Sequence, residues 1–514
     1  MSRRLKILVA VGIIFGVVIL IPVIRHYQLR AATEAYIAEL KAQGEPMELA
    51  QVVPPPVPPE QNGALIFLKA AALLGTNWNV LGSNPPPEMR MIASGKAMVG
   101  WQLPVIRDGR ASNSWAEVEA ALAQENAALA LLRQITAGQV FDFKLDFSNG
   151  LEKIQLPQLA SAKKAAQRLI AAAMDDLHRG DAAAAAENIR ATLAVVQGMS
   201  HDRLVISELV RMAIAQMALA ANWEFLQSAN ITDEQLVALQ MDWSGLDFIH
   251  AEERALELER VTGQISLAEW RSCNAALRRY TDMWENLGLQ SLSGPVHRHK
   301  NIFEKLKINA EIYLWRFWWS YPDELRALKG GQVMLETARM AETNYFWLAA
   351  WQKQEAELNV IAKNTGSFWF AKPDEADFHS VASSDLKSLG NVFNRVMKAE
   401  AAKQLTVAAI ALKRFQLKHG NFPEKISELT PEFLASVPLD PVDGQPLRYR
   451  RNADGTYLLY SVGANGVDDG GNPALENNVT GSNHNWQNDH ALDWVWPQPA
   501  TPAEVQFFYE HPPK

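Results

Sequence analysis

The chain opens with an apolar run that is long enough to cross a lipid bilayer. Residues 7–24 include no charged side chain. At about 1.5 Å of rise per residue, a helix of this run is ~27 Å long, close to the thickness of the hydrocarbon layer. Basic residues flank the run on both sides, which is typical of a membrane anchor and unusual for a buried core helix. The sequence therefore predicts a transmembrane helix, with residues 1–30 as the anchor.

A cleaved signal peptide is the main alternative for this segment. Its apolar part is usually shorter and is followed by small residues at a cleavage site, whereas this run is followed by Arg25, His26 and Tyr27. Basic residues before the run, together with the terminal amine, outnumber Arg25 and Arg30 after it. The positive-inside tendency then favours a cytoplasmic N-terminus, with the rest of the chain exported.

Residues 31–60 are predicted to form a juxtamembrane helix and a proline-rich spacer. The polar stretch 31–43 has a helical pattern, and VVPPPVPPE, residues 52–60, contains five prolines in nine residues. Because proline fixes φ and lacks an N–H donor, this stretch is predicted to be extended. We expect a spacer that holds the body away from the membrane, and a motif for a proline-reading domain is the alternative.

Composition and charge restrict the function of the remaining chain. The 514 residues are 48% hydrophobic and 21% charged, which is ordinary for a globular protein. The formal net charge is −8 and no long basic block occurs, so nucleic-acid binding is disfavoured. The single cysteine, Cys273, excludes an intrachain disulfide and metal sites built on paired thiolates. We expect this thiol to be buried and inert, with a catalytic role as the alternative.

Residues 61–385 are predicted to form a mainly α body of helical hairpins or a bundle, with a solenoid-like arrangement as a variant. In residues 156–180 apolar side chains recur at spacings of three, four and seven, which makes one apolar stripe. Gly180 can end this helix and Asp181 can cap the next one. Two helices joined by such a tight turn form an αα-hairpin.

An aromatic stretch, EIYLWRFWWSYP at residues 311–322, is the densest cluster of the sixteen tryptophans. On a helix four of its side chains share one face, because they are spaced by three and four: Leu314, Trp315, Trp318 and Trp319. We predict that this face is a core layer filled by bulky rings. A surface at a membrane interface or for a partner protein is the alternative.

The body shows no zincin pattern, Walker loop, nucleophile elbow or dinucleotide fingerprint. His250, Glu253 and Glu257 share a helical face, and we expect that face to be solvated and ion-paired, with a metal site as the alternative. Other candidates are His297 and His299, which basic neighbours make poor ligands. If the protein is an enzyme with a dispersed site, the first candidates are His201, Asp202, His250 and Glu253.

Residues 386–514 are predicted to form a separate unit, a long helix followed by a small α+β tail. The helix is expected at 388–420, where Gly420 stops it. Two strands, 447–451 and 457–462, are joined by Asn-Ala-Asp-Gly, a strong hairpin signal. A glycine-rich loop, SVGANGVDDGG, follows the second strand.

Short blocks follow one another in this unit in a specific order: Leu412-Lys-Arg-Phe415, His419-Gly-Asn-Phe-Pro423, Leu439-Asp-Pro441, Asp443-Gly444, Tyr449 and Ser461-x-Gly463. Their order and spacing resemble the globular part of the major pseudopilins of type II secretion systems. The whole chain is similar to uncharacterised membrane-anchored bacterial proteins with such an ending. The resemblance implies a bacterial origin, and hence an inner (cytoplasmic) membrane anchor with the bulk of the chain on the periplasmic side.

The resemblance also implies calcium, which pseudopilins bind in the loop after the strands. The ligands here would be Asp468, Asp469 and Asp493, with Asp489 as an alternative to Asp493. Asn465 stands where the family commonly has an aspartate, and a plain glycine-rich turn held by hydrogen bonds is the other interpretation. The apolar run also lacks the glutamate of the pilin processing site, so the chain is not expected to be a pilin subunit.

These patterns lead to one functional expectation. The protein is predicted to be a membrane-anchored envelope protein that acts as a non-enzymatic scaffold or interaction protein, with a protein partner in the envelope. A link to type II secretion or to pilus-like machinery rests on the resemblance alone. An envelope enzyme with a site assembled from dispersed histidines and carboxylates is the alternative.

Overall fold

The computed structural model is mainly α-helical, as the sequence predicts, with a few short strands. It describes residues 3–75, 89–108, 111–276, 313–344, 347–363, 381–475, 486–487 and 490–511.

The first helix, α1, is Arg3–Ala42 and is 40 residues long. It joins the predicted anchor and the predicted juxtamembrane helix in one piece, with no break near residue 30. The side chains of residues 7–19 and 21–22, most of the apolar run, lie outside the described part of the chain. Among the described residues one helix, Val205–Leu226, is long and apolar enough to cross a bilayer, but 72% of its apolar window is buried, as in a core helix.

The proline-rich segment is extended and lies against the helical body. It follows a short helix, α2, at Leu49–Val52. Arg203 Nη1 donates to the backbone oxygen of Val52 at 3.1 Å, and the N–H of Val57 donates to Asp142 Oδ2 at 3.4 Å. Val52 itself is buried. The stretch expected to be a spacer is thus attached to the surface of the body at both ends.

Eight helices form the first part of the body. They are α3 (Ala64–Leu73), α4 (Trp115–Gln124), α5 (Asn126–Leu132), α6 (Pro157–His178), α7 (Ala182–Gly198), α8 (Val205–Leu226), α9 (Asp233–Ser244) and α10 (Ile249–Ser272). Short 3-10 turns occur at Gly100–Gln102, Leu151–Lys153 and Met199–His201.

Helices α6 and α7 form the predicted αα-hairpin. Gly180 adopts a φ of +80°, a conformation that side chains with a Cβ rarely adopt, and it ends α6. Asp181 caps α7 by accepting the N–H of Ala184 at 3.0 Å. Both helices pack against α8, which is buried along most of its length.

Three more α-helices are described between residues 313 and 419. A π-helical turn at Trp315–Trp319 leads into α11 (Ser320–Asn344), which packs against α1 and α10. It is followed by α12 (Trp347–Lys363) and by α13 (Val381–His419). The last of these starts earlier than predicted and ends, as predicted, at Gly420 with a φ of +80°.

The aromatic stretch divides between the core and the surface. Trp315 is 5% exposed, and its Nε1 donates to Asp323 Oδ2 at 2.7 Å. Leu314 is 44% exposed, while Trp318 and Trp319 are half-buried. The predicted core layer is therefore confirmed at Trp315 and wrong at Leu314, because the π-helical turn changes which side chains share a face.

The region between α3 and α4, which the sequence pattern did not distinguish from helix, contains two short hairpins. Their strands are β1 (Arg90–Ala93), β2 (Lys96–Met98), β3 (Val105–Asp108) and β4 (Ala111–Ser114). Strands this short carry too few residues for a period of two to be recognised.

The C-terminal sheet contains the predicted hairpin. Strands β5 (Arg448–Arg451) and β6 (Tyr457–Ser461) pair antiparallel, and β7 (Trp494–Val495) adds to β6. Beyond it, β8 (Gln498–Pro499) pairs parallel with β2, and α14 (Pro502–Glu510) ends the described chain.

One hydrophobic core crosses the predicted boundary between residues 385 and 386. It includes side chains from α3, α6 to α9, α13 and the C-terminal sheet. Trp223 of α8 is fully buried, and its Nε1 donates to the backbone oxygen of Pro497 at 2.9 Å. Body and tail are consequently packed as one unit in the described residues.

A buried carboxyl group fastens the hairpin region to the central helix. Glu224 of α8 is fully buried, and its Oε1 accepts the N–H groups of Met89 at 2.8 Å and of Gly100 at 2.9 Å. The indole N–H of Trp101 donates to the backbone oxygen of Glu224 at 3.1 Å. Burial raises the pKa of Glu224 to about 8, although the backbone N–H donors oppose the rise.

Replacing Glu224 by Gln should flatten the pH dependence of stability. Because the folded pKa is raised to about 8, the folded state keeps a proton that the unfolded state loses. This contribution is complete below the ordinary glutamate pKa and is lost as the pH rises through 8. In urea titrations of the detergent-solubilised protein, the fall in the free energy of unfolding between pH 5 and pH 9 should be smaller in the variant by roughly 3–5 kcal/mol.

The variant Glu224→Ala is the second arm of that test. It leaves the N–H groups of Met89 and Gly100 without their acceptor, so it should lower the free energy of unfolding by about 2–4 kcal/mol even at pH 5. Equal pH slopes for the wild type and Glu224→Gln would contradict the account.

Candidate functional site

The glycine-rich loop, residues 461–471, is held closed by a buried carboxylate. Asp493 lies directly before β7 and is fully buried. Its Oδ2 accepts the N–H groups of Gly471 and Asn472, each at 2.9 Å. Its Oδ1 accepts the N–H of Asp469 at 3.4 Å. Burial raises the pKa of Asp493, and these backbone donors oppose the rise.

The other two candidate calcium ligands are engaged at the surface. Asp468 accepts the hydroxyl of Tyr460 at 2.9 Å and the Nε–H of Arg448 at 3.4 Å. Although burial opposes ionisation, these and a backbone donor lower the pKa of Asp468. Asp469 accepts an amide N–H of Asn465 at 3.0 Å.

This donor set does not fit a calcium ion. Calcium takes about six to eight oxygen ligands, whereas the three aspartates already accept N–H or O–H groups of the chain. Within the described ranges, their oxygens do not form a group of three within 4.8 Å of one another. The Arg448 guanidinium beside Asp468 also repels a cation. The geometry supports a glycine-rich turn closed by hydrogen bonds, and Asp489 lies outside the described residues.

Asp440 is a structural carboxylate that the sequence interpretation passed over. It is fully buried where the Leu-Asp-Pro block meets β6, and it accepts the Ser461 hydroxyl at 2.8 Å and the N–H of Val462 at 2.9 Å. Arg448 lies 3.3 Å away. Burial raises the pKa of Asp440 to about 6 against these donors. The two sequence blocks that contain Asp440 and Ser461 are therefore in contact in the fold.

The closure of the loop can be tested with two aspartates that the calcium hypothesis treats alike. Asp493→Ala removes the acceptor of three backbone N–H groups, so it should lower the free energy of unfolding by about 2–4 kcal/mol. Asp469→Ala, at an exposed side chain, should change it by less than about 0.5 kcal/mol. Thermal unfolding of the detergent-solubilised protein would be followed in chelator and in millimolar calcium, with the same midpoint expected in both. A calcium-dependent rise that either substitution abolishes would favour an ion site.

The His250 face is ion-paired, as the charge pattern predicts, but it packs against α11 and is not the solvated face that was expected, since Glu253 and Glu257 are half-buried. His250 Nδ1 lies 3.4 Å from Glu253 Oε2 and 3.8 Å from Glu342 Oε1, and these three side chains form the metal-sized group found among the described residues. Arg339 pairs with Glu253 at 2.6 Å and with Glu257 at 3.2 Å. Glu257 thus pairs with Arg339 and not with His250. The second carboxylate near His250 comes from Glu342 of α11, which the sequence did not suggest.

His201 and Asp202 line a small cavity under the proline-rich segment. The cavity is about 180 Å³ and also exposes Asp142 and Lys144. Asp202 Oδ2 accepts the Ser207 hydroxyl at 2.9 Å. Burial raises the pKa of Asp202 to about 6, opposed by its hydrogen bonds. Burial also lowers the pKa of His201. The cavity thus brings one imidazole and two carboxyl groups, those of Asp142 and Asp202, to a single wall.

Three further sequence candidates remain, Cys273, His297 and His299. Cys273 packs against Leu267 and Trp270, but it is half-buried and not fully buried as expected. His297 and His299 lie outside the described residues.

A buried ion pair in α8 was not selected from the sequence. Arg211 and Glu208 of α8 are both about 1% exposed and form an ion pair, and Arg211 Nε donates to the Val196 oxygen at 2.8 Å. Burial raises the pKa of Glu208 to about 7, against the Arg211 charge. A Glu and an Arg three residues apart in a mainly apolar helix were the available signal.

Comparisons of the chain with family models, with curated proteins and with solved structures find no match.

Proposed function

We propose that the protein is a membrane-anchored scaffold of the bacterial envelope, held to the inner membrane by α1 with its body on the periplasmic side. The observation that carries the proposal is the way α1 continues beyond the apolar run and is locked to the body. An anchor joined by a flexible linker would leave the body free to rotate. A locked anchor holds it in one orientation at the membrane surface.

The lock is a group of charges around Glu45, which follows α1 after a short turn. Its carboxylate pairs with Arg260 of α10 at 2.9 Å and with Arg339 of α11. Gln332 Nε2 donates to it at 3.0 Å. The side chains of Arg260 and Glu45 are 2% and 8% exposed. Burial disfavours the charged carboxylate, but these hydrogen bonds prevail and lower the pKa of Glu45 to about 2.

Apolar contacts extend the lock on both sides of Glu45. Leu40 and Met47 are buried against Leu328 of α11, with Tyr36 packed beside them. A groove of about 440 Å³ lies between α1, α11 and α12 next to this contact. Its wall combines Tyr36 and Val360 with charged side chains, so the groove offers both apolar and polar contacts to a partner.

Fractionation of cells tests the proposal directly. The full-length chain should sediment with membranes and remain there after alkaline washing, because the apolar run is more stable in lipid than in water. In spheroplasts, external protease should digest the body while the N-terminus is protected. Recovery of the full-length protein, with its leading end intact, in the soluble fraction would overturn the proposal. Digestion only after the inner membrane is opened would reverse the orientation.

The lock itself can be tested by Glu45→Gln. The variant leaves the buried Arg260 without a countercharge, so the free energy of unfolding at pH 7 should fall by about 3 kcal/mol. Because the pKa of Glu45 is lowered to about 2, its stabilisation is present above the ordinary glutamate pKa and is lost as the pH falls towards 2. The difference between wild type and variant should therefore shrink at pH 3.

Glu48→Gln is the matched control for the lock. Glu48 pairs with Lys41 at 3.0 Å, but the two side chains are 66% and 49% exposed. Removing an exposed ion pair should change the free energy of unfolding by less than about 0.5 kcal/mol. If both substitutions have the same effect, the charges around Glu45 do not lock the body.

The link to type II secretion or to pilus-like machinery is supported only by the order of the C-terminal blocks. An envelope enzyme is the second candidate, and the His201–Asp202 cavity is the observation that favours it. At about 180 Å³, the cavity is smaller than the roughly 300 Å³ at which small-molecule sites usually begin. The scaffold is therefore the function that the geometry supports best.

A further inference from the structure

Residues 313–319, here called the aromatic turn, expose several large apolar side chains on their outer face. Tyr313, Leu314 and Phe317 are 60%, 44% and 39% exposed. On the inner face, Trp315 packs against Trp270 with ring centroids 6.4 Å apart. The buried rings thus fix the turn on the body and hold three large side chains outward.

This outward face lies beside the end of the predicted membrane span. The Phe317 ring stacks on His26 of α1, with centroids 5.1 Å apart and planes within 8°. His26 Nδ1 is 2.7 Å from the Phe317 backbone oxygen. His26 follows Ile24, the last residue of the apolar run, by two positions. That distance along the helix is ~3 Å.

The aromatic turn and α11 run in the same direction as α1. The residues before Phe317 therefore lie nearer to the predicted membrane span than Phe317 does. The Thr33 hydroxyl donates to the Tyr321 oxygen at 3.2 Å. Further on, the Lys329 ammonium lies 5.7 Å from the Tyr36 ring. Contacts therefore advance together along both helices, away from the apolar run.

It follows that Tyr313 and Leu314, about one helical turn before Phe317, lie ~5 Å nearer the hydrocarbon. Near this level α1 also exposes apolar side chains, since Leu20 is 58% exposed, Ile24 48% and Tyr27 63%. The two helices, joined by the contact between Phe317 and His26, together present an apolar and aromatic band.

We propose that this band, formed by Tyr313, Leu314 and Phe317 with the adjoining face of α1, lies in the interface between the lipid headgroups and the hydrocarbon. The inference rests on the anchor proposed above and adds a second membrane contact far along the chain. Aromatic side chains are favoured at this depth because the rings leave water while their polar atoms stay hydrated. The exposed Arg25 lies at the same level, where it can meet lipid phosphates. A lipid surface, in preference to a protein partner, accounts for exposed apolar side chains that continue directly from a predicted membrane span.

The test measures the depth of single fluorescent labels in the full-length protein reconstituted into phospholipid vesicles. In a Cys273→Ala background, a cysteine replaces Tyr313, Leu314 or Phe317 and is labelled with an environment-sensitive dye. Ile24→Cys reports the anchor. Met241→Cys and Phe507→Cys are matched controls, since these apolar side chains are 69% and 63% exposed in α9 and α14.

Lipids with a spin label near the headgroup should quench the dye at the three band positions several-fold more than at the controls, and aqueous iodide should quench it less. Band labels that behave like the controls while Ile24 is quenched by lipid would overturn this inference and leave the anchor intact. Labels shielded from both quenchers would indicate a protein partner or a second copy, and would also overturn it. Loss of lipid quenching at Ile24 would show that the proposed anchor itself has failed. Circular dichroism and the thermal midpoint of each labelled variant verify that it has folded.

Discussion

The carboxylate of Glu45 joins three segments that are far apart in the sequence. It lies after the end of α1 and binds Arg260 on α10 and Arg339 on α11. Arg339 in turn pairs with Glu253 and Glu257 of α10, so the network continues across the surface of the body. A buried charge network of this kind is costly unless every member is paired. The charges around Glu45 therefore act together with the apolar contacts of Leu40 and Met47 to fix α1 on the body.

The body that α1 meets is held together by polar as well as apolar contacts. Glu224 and Asp440 are fully buried and accept backbone N–H groups from segments distant in sequence. A buried N–H group without an acceptor costs free energy. These carboxyl groups therefore favour the one packing arrangement in which each N–H donor meets its acceptor. The same logic explains the glycine-rich loop, whose backbone turns around Asp493. Its glycines allow the positive φ angles, and the carboxylate satisfies the N–H groups that converge there.

Local rules in the sequence were sufficient for most of the helices and for the C-terminal hairpin. Gly180 and Asp181 marked the end of one helix and the start of the next because capping depends on adjacent residues. The pairing of Arg448 with Tyr460 followed from turn chemistry. Long-range features could not be obtained in this way. The Glu45 network, the loop closure by Asp493 and the cavity at His201 each bring together residues that no periodicity relates. The π-helical turn at Trp315–Trp319 likewise has no simple residue signature.

The parallel pairing of β2 with β8 joins Lys96 to Gln498 and Ala97 to Pro499, across nearly the whole length of the chain. Trp223 reaches the same segment through the oxygen of Pro497. A ribosome delivers a polypeptide from its N-terminus, so the first hairpin and the central helix wait for this neighbour until residues 497–499 have been made. Completion of this part of the fold is thus a late event, governed by the arrival of β8.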